Sequence, residues 1–273
     1  FNKGKKSMPF NKTGRASNSK PNSSKKPSTT ADGIRLNNYI ATSGICSRRE
    51  AEKLILQGKV RVNGTLISSP ALNLQETDLI TVNGKTVGQE QQTRLWRYHK
   101  PLDLVTSTKD EKGRITVFEA LPDDMPKVMS IGRLDINSEG LLLLTNDGQL
   151  KRNLELPSTG WVRKYRVRVR GRPTEEAVNP LKSGIKVGRE HFKPMDINID
   201  KQQGANAWLS IGIREGKNRE IRRALEYVGF SVNRLIRIGY GPFRLLDLKP
   251  GEVVEIKRQV IKDQIGKLTN KKL

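Results

Sequence analysis

A chain of 273 residues with 51 Lys+Arg, 28 Asp+Glu and a formal net charge of +23 points to a polyanionic partner, because each phosphate a protein neutralises releases counterions. A single cysteine excludes an internal disulfide and any multi-cysteine metal site, and two histidines leave little material for a zinc site or a serine-type triad. No apolar run approaches the ~20 residues of a membrane span and no signal-peptide pattern opens the chain, so a cytoplasmic protein with no membrane partner is expected.

Residues 1–33 are Lys, Ser, Asn, Gly and Pro with few apolar anchors, a composition that cannot offset the entropy of ordering. A disordered basic arm is expected there. From 34 to 86 the pattern is that of a small domain. Leu36, Tyr39 and Ile40 fall at helical spacing, and Gly44 can stop that helix. "SRRE" is a capping box, with Ser47 as N-cap and Glu50 three residues on; Ala51, Leu54 and Ile55 supply the apolar face. Asn63-Gly64 and Asn83-Gly84 are hairpin turns between alternating segments. Arg35, Arg48, Arg49, Lys53, Lys59 and Arg61 cluster on or beside the helix pair, and a cluster at a helix N-terminus favours phosphate contact over a merely solvated face. The whole stretch "RLNNYIATSGICSRREAEKLILQGKVRVNG" resembles the S4-type RNA-binding domain.

Residues 87–93 read as a linker, and 94–257 as a second, larger domain. "RLWRYHK" and "WVRKYRVRVRG" alternate as strands; "LLLLT" is a buried strand; "NDG" turns into a helix with Leu150 and Leu154 on one face. "AWLSIGIREG" is a further strand, Asn218 opens a helix closed by Gly229, and "SVNRLIRIGYGPFRL" returns as strand. Adjacent strands outnumbering helices predict an α+β domain on a mixed, mainly antiparallel sheet. Residues 258–273 read as a fraying basic tail.

Asp135 stands out inside "SIGRLDINSEGLLLLTNDG", with Gly132 and Gly140 permitting tight backbone on either side and Arg133 close by. No second carboxylate or histidine is near in sequence to form an acid/base pair. Two roles stay open on these residues alone: a loop aspartate that hydrogen-bonds its own turn, or a lone nucleophile or base. No "GxxxxGK" phosphate loop is present.

"GRLDINSEGLLLLTNDG", "YHKP" at 98–101, "RKYRV" at 163–167, "EGKNREIRR" at 215–223 and "RLIRIGYGPF" at 234–243, in this order behind an S4-type domain, closely resemble the RsuA-type ribosomal pseudouridine synthases, and within them the large-subunit enzymes. The resemblance spans about residues 34–256. It implies isomerisation of a chosen uridine in ribosomal RNA, 23S being expected, by a monomer needing no cofactor or metal. The RNA would be met free or in an assembly intermediate of the large subunit. Asp135 is then the catalytic aspartate, acting on a flipped-out base. Tyr165 matches the tyrosine stacked on that base, Arg222 the arginine paired with the aspartate, and Leu235 an apolar residue under the base. Arg133 braces the loop or replaces the flipped base. Lys100 of the "KP" motif is expected to be structural or RNA-facing, and Arg219 and Arg223 to contact RNA or be solvated. The alternative is an RNA-binding assembly factor that keeps the fold without the reaction. Two positions depart from the family pattern: Asp103 stands where glycine is common, and Leu156 where histidine is.

Overall fold

The computed structural model describes residues 33–88 and 91–266. The expected arm before residue 33 and the end of the tail after 266 lie outside the described residues, as do 89 and 90 in the linker.

In the amino-terminal domain the helices Leu36–Thr42 and Arg48–Leu56 pack on a four-stranded sheet ordered Thr65–Leu66, Val60–Val62, Ile80–Val82, Lys85–Thr86. The capping box forms in both directions: Glu50 N donates to Ser47 Oγ at 3.3 Å and Ser47 N to Glu50 Oε2 at 2.7 Å. Asn63-Gly64 and Asn83-Gly84 both take positive φ, as two-residue hairpin turns require. Leu36, Ile40, Ala51 and Ile55 meet Val60, Val62, Ile80 and Val82 in one small core. That core consumes the apolar face, and all six basic residues Arg35, Arg48, Arg49, Lys53, Lys59 and Arg61 remain exposed.

The second domain is built on a nine-stranded sheet. Its main path runs Asp196–Gln203, Asn206–Ile213, Arg163–Arg170, Val232–Tyr240, Glu139–Thr145, Leu95–Lys100, Val253–Glu255. Every pairing is antiparallel except one: Val232–Tyr240 runs parallel to Glu139–Thr145, in register Ile236↔Glu139 and Arg237↔Gly140. This seam joins two antiparallel halves. The continuous "LLLLT" run follows from cover on both faces. Leu142 and Leu144 belong to one core, with helices Glu175–Ser183 and Glu220–Tyr227; Leu141 and Leu143 belong to another, with helices Gly148–Glu155 and Arg258–Ile265.

Two of the longer elements are unmarked by the sequence pattern. The helix Glu175–Ser183 starts from a Thr174 cap and contains Pro180, and the strand Asp196–Gln203 is polar because it is an edge with only one buried face. One expectation is corrected. The segment taken as a fraying tail holds the helix Arg258–Ile265, because Ile261 and Ile265, one turn apart, are both buried in the second core.

Candidate active site

The loop 132–138 leaves the short strand Met129–Ile131 and returns as the strand Glu139–Thr145. Gly132 turns it with φ +68°, while its N–H donates to Glu155 Oε1 at 2.6 Å. Gly140 ends it at a place no other residue fits: at φ +105° an added Cβ would lie 2.4 Å from the Arg237 carbonyl oxygen.

Between these glycines six consecutive carbonyls are each taken by a donor. Arg133 O accepts from Arg237 Nη1 at 3.4 Å, and Leu134 O from Thr106 Oγ1 at 2.8 Å. Asp135 O accepts from Ser138 N at 3.0 Å, and Ile136 O from Asp103 N at 2.9 Å. Asn137 O accepts from Arg222 Nη2 at 2.7 Å, and Ser138 O from Lys100 Nζ at 2.8 Å. A turn with every carbonyl engaged has little freedom to relax. The carboxylate of Asp135 is thereby fixed at one wall of a cavity of about 330 Å³. Its side chain is one-third exposed.

The same cavity is lined by Tyr165 and Leu235, with the tyrosine 8% and the leucine 6% exposed, together with Ile213 and Ile221. They sit there because Tyr165 faces Leu235's side of the sheet on adjacent antiparallel strands. Arg133 lines the same cavity and is exposed. Three further cations, missed by sequence reasoning, complete it: Lys217, Arg163 and Arg237. Arg163 donates to Tyr240 Oη at 3.1 Å, and Arg237, 2% exposed, donates Nε to Leu141 O at 2.7 Å. Only the oddity of an arginine amid "LIRIGY" signals Arg237 in the sequence.

Several expected placements are corrected. The guanidinium nearest the Asp135 carboxylate is that of Arg219, at 3.8 Å, not Arg222. Arg219 precedes the helix Glu220–Tyr227 in a left-handed conformation, φ 47°, while Arg222 lies inside the helix and is spent on the carbonyls of Asn137 and Val232. Burial and the like charge of Arg219 lower the Arg222 pKa, and Asp135 opposes that shift. Lys100, expected to be structural or RNA-facing, is fully buried. Its ammonium is satisfied by the carbonyls of Pro101 and Ser138; burial brings it down to about 8 against the pull of Asp103, Asp135 and Glu139. Arg223 is likewise committed, ion-paired to Glu190 and lying 5.0 Å over the Phe192 ring. Asp103 adopts φ 66°, so the glycine-like turn is kept by an aspartate, which tolerates that region better than most residues. Leu156, the other departure, is exposed at the end of the helix Gly148–Glu155.

Glu220 forms part of the cavity wall and is 3% exposed. Burial is the main cause that raises its pKa to about 7; the Lys217 N–H, 3.0 Å away, partly opposes, and neighbouring Glu215 adds to the rise. Burial pushes Glu215 up too, but the Lys193 N–H and the Lys217 side chain hold it below the usual carboxylate value.

Comparison with known proteins agrees with this architecture. Residues 94–227 match the RNA pseudouridylate synthase family, and residues 34–80 the S4 domain. A Rickettsia felis protein named as an RNA pseudouridine synthase is 48% identical over 227 residues, covering 83% of this chain and 98% of that protein. The ribosomal large subunit pseudouridine synthase B of Bacillus subtilis is 34% identical, covering 84% and 94%; that of Pseudomonas aeruginosa is 36% identical, covering 86% of this chain and 63% of its own length. A crystal structure of a pseudouridylate synthase superposes with a TM-score of 0.60 at 25% identity, over 84% of this chain and 99% of that one. An S4 domain followed by this mixed sheet, with relatives at these identities along both, leaves one assignment: the chain belongs to the RNA pseudouridine synthases, isomerases of uridine in RNA, and within them to the RsuA type.

Proposed function

We propose that the chain isomerises a specific uridine of large-subunit (23S) ribosomal RNA, with Asp135 as the catalytic aspartate. The observation that carries this is the loop whose six carbonyls are all held while its one carboxylate stays open to the cavity. The other carboxylates of the wall are occupied: Glu155 with Lys151 and the Gly132 N–H, Glu220 with the Lys217 N–H. Two relatives named for the large ribosomal subunit supply the substrate class.

A uridine inside a helix cannot reach this wall, so the target base leaves its stack at a cost of a few kcal/mol. Stacking on the Tyr165 ring returns roughly 1–3 kcal/mol, and Leu235 gives the base an apolar floor. In the reaction the C1′–N1 bond breaks, the uracil turns, and C1′ bonds to C5. N1 gains a proton and C5 loses one, so the product is an isomer and no co-reactant is consumed. Arg219 faces the Asp135 carboxylate at 3.8 Å, and Lys100, Arg222 and Arg237 fix the loop. Arg133, exposed at the rim, fills or braces the gap left by the base. The enzyme acts as a monomer in the cytoplasm, on free RNA or on an assembly intermediate, and the exposed S4-type cluster holds RNA by its phosphates.

Asp135→Asn tests the assignment: pseudouridine formation should fall below a hundredth of wild type with RNA affinity within about twofold. Turnover above one-tenth would remove Asp135 from the chemistry. Mapping pseudouridine in ribosomal RNA from a strain lacking the protein identifies the site, and an unchanged 23S map would overturn the substrate.

A further inference from the structure

The large sheet has a face that the catalytic cavity does not use. Along Arg163–Arg170 the odd-numbered Tyr165, Val167 and Val169 enter the core beneath the cavity, and the even-numbered residues point the other way. Lys164, Arg166 and Arg170 are exposed there and Arg168 is half-buried. The helices Gly148–Glu155 and Arg258–Ile265 cover this reverse face around Leu95, Leu141 and Leu143, with Ile236 and Ile238 packed at the margin of that core, beside the row.

None of these four cations makes an ion pair among the described residues. The acidic groups on neighbouring strands of that face are already engaged: Asp200 accepts from Ser210 Oγ at 2.7 Å, Glu139 from Arg234 Nε at 2.5 Å, and Asp196 lies 3.9 Å from Arg214. Two features beyond charge mark the strip. The Arg166 guanidinium lies 4.8 Å over the half-buried Trp208 ring. Gly212, directly opposite Lys164, has no side chain to fill the row, and a hollow of about 360 Å³ opens there beside Asn198 and Ser210. Alternate residues of a strand repeat at about 7 Å, so these cations form a regular row of the reach needed to follow a phosphate backbone.

We propose that this reverse face is a second RNA-binding surface, which holds a single-stranded segment of the substrate RNA outside the target site, with phosphates on the Lys164–Arg170 row and a base at Trp208. A sheet that offers unpaired cations and an aromatic ring suits single-stranded RNA, because stacking tolerates any base while the row follows the backbone. A protein partner would be offered four uncompensated charges and little apolar area. The inference rests on the reading of RNA as substrate but not on the identity of the catalytic group.

The test uses full-length protein carrying Lys164→Gln, Arg166→Gln and Arg168→Gln together, with a large-subunit ribosomal RNA transcript. The slope of log affinity against log salt should shrink by about 2, at ~0.7 for each single-strand phosphate no longer neutralised. KM should rise tenfold or more with kcat at saturating RNA unchanged, since none of the three lines the catalytic cavity. Trp208→Leu should weaken binding about fivefold or more and leave the salt slope as it is. In unsubstituted protein, and equally in Asp135→Asn, RNA should protect Lys164 from an amine-reactive label. Equal labelling with and without RNA, or an unchanged salt slope and KM in the folded triple variant, overturns the proposal. So does a triple variant that binds naked RNA normally but fails on ribosomal particles, which would make the face a protein-docking site. A failure of the Asp135 assignment would show in turnover alone and leave the labelling and the slope untouched.

Discussion

Glu220 shows how far a side chain can be moved from its ordinary chemistry by position. Burial favours its neutral form up to about pH 7, against an ordinary value of 4.5. The folded protein therefore keeps a proton that the unfolded chain releases. Unfolding free energy then falls as pH climbs from about 4.5 to about 7, by at most ~1.4 kcal/mol per pH unit, and this contribution levels off above. Glu220→Gln imitates the protonated acid and lacks the titration. Its stability relative to wild type should rise across that window and stay constant at higher pH. Urea unfolding at pH 5, 6, 7 and 8 measures it; parallel curves would mean that Glu220 is ionised throughout. Lys100 has the opposite sign. Its folded value of about 8 lies below 10.5, so the cost of its buried charge is relieved only as pH rises through 8.

The elements that hold the site were visible in the sequence to different degrees, for reasons that lie in their contacts. The capping box, both Asn-Gly turns and the alternation around Tyr165 are local, and they form as the pattern requires. Asp135, Tyr165 and Leu235 line one cavity. What stayed hidden depends on pairing across long stretches of chain. Arg237 finds its partner at Leu141, 96 residues away, and the burial of Lys100 makes sense only once the carbonyl of Ser138, 38 residues on, comes to meet it. The choice between Arg219 and Arg222 turned on a single left-handed residue, which no spacing rule reveals. Gly140 is the sharpest test of the parallel seam. Gly140→Ala sets a Cβ against the Arg237 backbone and should cost about 3 kcal/mol or more in denaturant unfolding. Gly148→Ala, whose Cβ would meet only Met129 at 3.8 Å, should be neutral or slightly stabilising. Equal effects of the two would show that the seam tolerates a wider spacing.

The described residues form three cores, and the one in the amino-terminal domain shares no residue with the two in the larger domain. An exposed pair, Lys127 with Glu50 at 3.2 Å, joins the domains, and solvent-screened pairs of that kind contribute little. A protein lacking residues 1–85 should therefore unfold cooperatively, with a transition close to that of the larger domain in the full chain. It should bind ribosomal RNA with a shallower salt dependence, because Arg48, Arg49 and Lys53 are gone. A fragment that is molten by near-UV circular dichroism would mean that the domains fold as one. An unchanged slope would leave the amino-terminal cluster as a solvated face.

The parallel seam also sets the order in which this protein can come into being. Asp135 lies 105 residues ahead of Tyr240, where the strand that locks its loop through Arg237 ends. During synthesis the amino-terminal domain can fold and take hold of RNA long before that strand has left the ribosome. Throughout that interval the nascent chain carries its S4 domain ahead of an unfinished sheet, and the cavity beside Asp135 is complete only once the strand ending at Tyr240 has joined.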